Sequence, residues 1–157
     1  MEIRSAVEVD VPEILRMMRD FARFEGLEEY FEATDDGLRD ALFGPQAHVE
    51  VLVAVEDDAF SGYALFYPNY ASFRGQKGYY LEDLYVDPEF RGRKLGEAFL
   101  REIARRGSMR GFKRIDFQVL EWNMPAIGFY EKLGADRDDT ERHFKFTDEA
   151  FARLAAG

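Results

Sequence analysis

Arg91-Gly92-Arg93-Lys94-Leu95-Gly96 lies between a run that reads as a strand and a run that reads as a helix. A glycine-bearing turn that opens a helix aims unpaired N–H groups and the positive end of the helix dipole at one spot. The chemistry that suits such a spot is anion binding, most simply of a phosphate or pyrophosphate. Two adjacent carboxylates, Glu82 and Asp83, sit in the strand that feeds the turn. Neighbours on a strand point to opposite faces, so the two can act together only across a bulge. His48 and His143 are isolated in different segments, and no serine has a G-x-S-x-G context, so neither a metal pair nor a serine triad is expected.

The elements around these residues follow from pattern. Tyr79 to Val86 is rich in aromatic and β-branched residues, and Asp87-Pro88 ends it. Leu95, Ala98, Phe99 and Ile103 recur at the spacing of one helix face. Upstream, Glu2 to Ala6 reads as a strand. Asp10, Pro12 and Glu13 read as the cap, first turn and capping-box acid of a helix ending near Gly26. Thr34 or Asp35 caps a second helix, closed by Gly44-Pro45. Val49 to Val55 and Gly62 to Tyr67 are strands, joined through Glu56-Asp57-Asp58, and Asn69 to Gly78 is a polar loop. Downstream, Arg114 to Leu120 alternates as a strand. Asn123 caps a helix stopped at Gly134, Arg142 to Phe146 forms a last strand, and Thr147 caps a short C-terminal helix. The order implies one mixed α/β domain over residues 1–157, without repeats or linkers.

The totals bound the partners. With 157 residues, 46% of them apolar, the chain can bury a real core, and it has no apolar run of membrane-spanning length. The N-terminus has no apolar signal core and there are no cysteines, which points to a cytoplasmic protein without membrane attachment. A net charge of −10 argues against nucleic-acid binding and suits either small cationic partners or plain solubility. Against that background Arg91, Arg93, Lys94, Arg101, Arg105, Arg106, Arg110, Lys113 and Arg114 cluster, as for a specific polyanionic ligand.

YLEDLYVDPEFRGRKLG (80–96) and EWNMPAIGFYEKLGA (121–135), with FARFEGLEEY (21–30) more loosely, resemble the GNAT superfamily of acyl-CoA-dependent N-acetyltransferases, and within it the diamine (spermidine/spermine) acetyltransferase branch. The resemblance implies an α/β (α+β) fold: a twisted, mostly antiparallel mixed sheet, flanked by helices and splayed at the cofactor cleft between Leu81–Val86 and Ile115–Leu120. It implies that the backbone of Leu84, Tyr85 and Val86 pairs with the pantetheine of acetyl-CoA. By the same resemblance the amides from Gly92 through Arg93, Lys94, Leu95 and Gly96 to Glu97 hold its pyrophosphate, beside Arg91, and Asn123 and Ala126 touch it further on. Lys94 departs from the family, which usually has glycine there. A lysine would be strained if the position needs a positive φ.

Acetyl transfer to an amine needs a neutral nucleophile, a stabilised oxyanion and a protonated leaving thiolate. An alkylamine with a pKa near 10.4 is almost wholly charged at pH 7, a handicap of roughly 4–5 kcal/mol. Under the resemblance Glu82 is the base, Asp83 orients the amine or water, and Tyr130 is the acid that returns a proton to the thiolate. Read alone, Glu82 is rather a strand carboxylate facing solvent or pairing with a nearby arginine, and Tyr130 a core aromatic beside Phe129 and Leu133.

Phe24, Glu25, Glu28 and Glu29 resemble the family's acidic wall for the amine, or else form a solvated helix end. Departures from the polyamine pattern at 71–74 and 140–142, Arg74 among them, keep a lysine-like amino acid as open an acceptor as a polyamine. The expected activity is therefore transfer of acetyl from acetyl-CoA to a small-molecule amine, without metal. Acetylation of a protein lysine or N-terminus, and a non-catalytic acyl-CoA-binding module, are the alternatives. The branch implies a homodimer.

Overall fold

The computed structural model describes residues 1–157. Five strands lie in the sheet in chain order: β1 (Glu2–Ser5), β2 (Glu50–Glu56), β3 (Ala59–Ala71), β4 (Gln76–Val86) and β5 (Ile115–Phe117). The first four pair antiparallel, and β5 joins β4 in parallel. The helices are α1 (Val11–Phe24), α2 (Asp35–Phe43), α3 (Leu95–Met109), α4 (Met124–Lys132) and α5 (Asp148–Ala155). Residues 1–118 and 119–157 form two compact units, the sheet with α1 to α3 in the first and α4 with α5 in the second.

Alternation divides the first unit into two cores. Val51, Val53, Tyr63, Leu65 and Tyr85 point to one face and pack with Val11, Ile14 and Met17 of α1 and Leu38 of α2. The intervening Leu52, Ala54, Ala64 and Phe66, with Tyr79 and Leu81, point to the other and meet Leu95, Phe99 and Ile103 of α3. α1 and α3 each bury one apolar stripe, on opposite faces of β2, β3 and β4, so the sheet is the middle layer of this unit.

Several elements differ from the sequence expectation. Asp10 does not cap α1; its buried carboxylate accepts the Val7 N–H at 2.8 Å and a two-pronged Arg4 contact at 2.7 and 3.1 Å, tying β1 to the helix entry. The stretch 69–78 is no open loop, because β3 runs to Ala71, β4 starts at Gln76 and only a tight turn separates them. Pairing with an adjacent strand overrides the polar composition there. β5 is shorter than 114–120. Arg142 to Phe146 forms no ladder, since alternation without a hydrogen-bonding partner makes no strand. Thr147 precedes α5 without a side-chain cap. Thr34 does cap α2, accepting the Gly37 N–H at 3.1 Å.

Candidate functional site

The pairing of β3 with β4 slips by one residue at the strand that carries the acids. Leu65 stands opposite Asp83, and the next residue, Phe66, stands opposite Leu81, so Glu82 is the extra residue of a β-bulge. Before the bulge Leu81 faces the α3 side; beyond it Leu84 does so, and Tyr85 faces α1. The slip turns both carboxylates to one face. Tyr63 donates its hydroxyl to Asp83 Oδ2 at 2.8 Å, and Tyr67 donates to Glu82 Oε2 at 3.3 Å. Tyr63 and Tyr67 are four apart on β3 and so share a face.

The electrostatics of this face favour a proton or a cation. Burial pushes the Asp83 carboxyl up to about 6; the Tyr63 hydroxyl pulls against that, while the negative charges of Glu82 and Glu25 add to it. Burial also raises Glu25 at the end of α1. The Tyr67 hydroxyl is pushed up to about 12 by burial and by Glu82, and that of Tyr63 well above its usual range by burial and Asp83, so both remain donors at neutral pH. Glu28 behaves differently. Arg23 grips it with two N–H groups at 2.8 and 3.1 Å, and that hydrogen bonding holds its carboxyl below the usual range.

Beside the acids β4 has an open edge. Its pairing with β5 covers only Tyr79, Leu81 and the residue between, and β4 then continues to Val86. The Asp87 N–H reaches the Ser61 carbonyl in β3 at 2.9 Å, so Tyr85 and Asp87 turn their backbone groups toward β3. Leu84 and Val86, of opposite parity, turn theirs to the side that β5 has left. The Val86 carbonyl there accepts Arg91 Nε at 3.1 Å.

The turn after β4 presents amides. Gly92 has φ 79° and Lys94 φ 60°, the left-handed region that glycine enters freely and lysine only at a cost. No side chain caps α3, in contrast to Thr34 at α2 and Asn123 at α4. The first turn of α3 thus keeps the amides of Leu95, Gly96 and Glu97 without intrahelical acceptors. Two charged side chains of this stretch are turned elsewhere: Glu97 pairs with Arg101 at 2.6 Å, and Arg93 with Glu56 at 3.4 Å. The basic cluster is largely neutralised in the same way, with Arg105 and Arg106 on Glu102, Arg110 on Glu50 and Arg114 on Asp116. Most of the arginines of the cluster therefore stand in ion pairs.

Residues 12–135 match the acetyltransferase (GNAT) family model. The chain belongs to the GNAT acetyltransferase family. It is 35% identical to a thialysine N-epsilon-acetyltransferase of Sus scrofa, over 98% of this chain and 96% of that one. It is 27% identical to an L-ornithine N5-acetyltransferase of Arabidopsis thaliana, over 97% of this chain and 86% of that one. An integron cassette protein from the mobile metagenome of V. cholerae shares the fold, with a TM-score of 0.83 at 21% identity, over 99% and 98% of the two chains. As a GNAT member the protein is an acetyl-transferring enzyme.

In this GNAT chain, Glu82, Asp83 and Glu25 come together, whereas Glu28 is drawn off to Arg23. In the second unit Asn123 is buried and accepts the Ala126 N–H at 3.3 Å, so those two residues meet through the cap of α4. Tyr130 lies on α4 with its ring 5.0 Å from that of Phe129. Sequence reasoning missed Tyr63 and Tyr67 as partners of the acids. Their spacing at 63 and 67 in an alternating strand was the available signal.

Proposed function

We propose that the chain transfers the acetyl group of acetyl-CoA to the primary amine of a small molecule, by direct attack within a ternary complex. The observation that carries this reading is the bulge that turns Glu82 and Asp83 to one face beside an open strand edge. The uncapped amides at Leu95, Gly96 and Glu97 fit the pyrophosphate, and the outward backbone groups of Leu84 and Val86 fit the pantetheine arm. Bound there, acetyl-CoA supplies an activated acyl carbon and a thiolate leaving group.

The chain's own residues handle the protons. Asp83 and Glu25, raised by burial, hold the incoming ammonium. Glu82, steadied by Tyr67, takes the proton that makes the amine nucleophilic, offsetting part of the roughly 4–5 kcal/mol cost of its neutral form at pH 7. Tyr130 serves as the acid for the thiolate. The names of the thialysine and ornithine relatives support a small amino-acid or diamine acceptor. A homodimer in the cytoplasm completes the reading.

Thiol release from acetyl-CoA, followed across polyamines, diamines and lysine-type amino acids, tests it. Turnover with at least one of them is expected. Tight coenzyme binding without turnover of any would overturn it.

A further inference from the structure

At the end of α3 remote from the glycine turn lies a groove of about 450 Å³, with Tyr70, Arg74, Lys77, Arg110 and Lys113 in its walls. The β3–β4 hairpin brings Arg74 and Lys77 to it, and the segment that follows α3 brings Arg110 and Lys113. The two sides are fixed to each other, because the Lys113 N–H donates to the Lys77 carbonyl at 2.9 Å. Arg110 is held as well. It donates to the Tyr79 hydroxyl at 3.0 Å, and its guanidinium lies 4.5 Å from the centre of the Phe112 ring.

Carboxylates meet most arginines of the chain, but Arg74, Lys77 and Lys113 have none within ion-pair distance, and Arg110 has Glu50 at 3.4 Å. Four cations thus share one groove on a chain with a net charge of −10. The negative end of the α3 dipole accounts for Arg110 and Lys113, which follow its last turn. It does not account for Arg74 and Lys77, which come from another element and add like charge to the same groove.

We propose that this groove is a second anion site, which binds a small polyanion carrying two or more phosphate or carboxylate groups. It is separate from the amides assigned to the coenzyme, since the 15 residues of α3 put about 22 Å between its two ends. The volume suits a small ligand, falling within the range of about 300–1,000 Å³ for small-molecule sites. Cations stand where such sites usually have apolar walls, so charge-assisted hydrogen bonds to phosphate or carboxylate oxygens supply the recognition. The overall field of the chain repels anions, and only a local cluster of this kind overcomes it.

Calorimetric titration of the full chain with inorganic triphosphate, and separately with citrate, tests the proposal. Saturating coenzyme A is present throughout, so that the glycine turn is occupied. One site with a dissociation constant below about 1 mM is expected for at least one of the two anions, and the better one tells phosphate from carboxylate chemistry. Lys77→Gln with Lys113→Gln weakens it about tenfold or more, and Lys77→Arg with Lys113→Arg, which keeps both charges, retains it. Arg137→Gln with Arg153→Gln removes the same charge outside the groove and changes the affinity by about twofold at most. Binding of neither anion overturns the proposal. So does an equal loss in the two glutamine pairs, or binding of an acidic polymer such as RNA without either small anion.

Discussion

The Tyr63 hydroxyl sits 2.8 Å from Asp83 Oδ2, a short bond between a phenol that burial keeps protonated and a carboxyl that burial lifts toward neutrality. The geometry fixes the proton on the tyrosine and leaves the second carboxylate oxygen for a ligand.

Asp83 makes stability fall as pH rises. Its folded pKa of about 6 stands above its usual 3.8, so the native state binds the extra proton between those values. The stability it contributes is full below about pH 4 and is lost as pH passes through 6. Asp83→Asn is expected to flatten that slope in melting curves recorded from pH 4 to 7, a difference on the order of 1–2 kcal/mol. The same variant is expected to lack the rise in activity through pH 6 that ionisation of Asp83 should give the wild type. A slope unchanged by the substitution would contradict the burial argument.

Glu82→Gln keeps the shape of the bulge and removes the base. A fall in kcat of about a hundredfold is expected, with acetyl-CoA affinity retained, measured by thiol release at saturating acceptor. Wild-type rates would remove Glu82 from the mechanism.

The two acids past the end of α1 should separate. Glu25→Gln is expected to raise the acceptor KM about tenfold, whereas Glu28→Gln, whose carboxylate is already held by Arg23, should change it by about threefold at most. Equal effects would restore the undivided acidic wall.

Lys94→Gly relieves a left-handed lysine. Glycine at φ 60° avoids a cost of about 1 kcal/mol, which for a domain of this size raises the melting temperature by about 2–4 °C. Lys94→Ala keeps the Cβ and should gain nothing. A Gly variant less stable than the wild type would mean that the lysine side chain contributes more than its backbone costs.

Much of this was legible in residue pattern. The glycine turn, the aromatic and β-branched run of β4 and the stripe of α3 are local signals, and the turn, the strand and the helix form where they were read. The direction of Glu82 was not, because a bulge depends on which β3 residue lies opposite, and strand register is a property of two segments together. The role of Glu28 escaped for a similar reason: Arg23 is five residues away across the end of a helix, where no simple periodicity predicts a pair. Arg142 to Phe146 shows the converse, an alternating run that stays irregular because no ladder is supplied.

The open edge of β4 has a cost that catalysis does not reveal. Unpaired N–H and C=O groups on an exposed strand are a template for any extended peptide, including another copy of the same segment during folding. The gap is only as long as Glu82 to Val86, and Asp87-Pro88 ends it with a residue that cannot donate. That proline sets how far a foreign strand can zip along the protein, and so separates a cleft that admits a coenzyme arm from an edge that would seed aggregation.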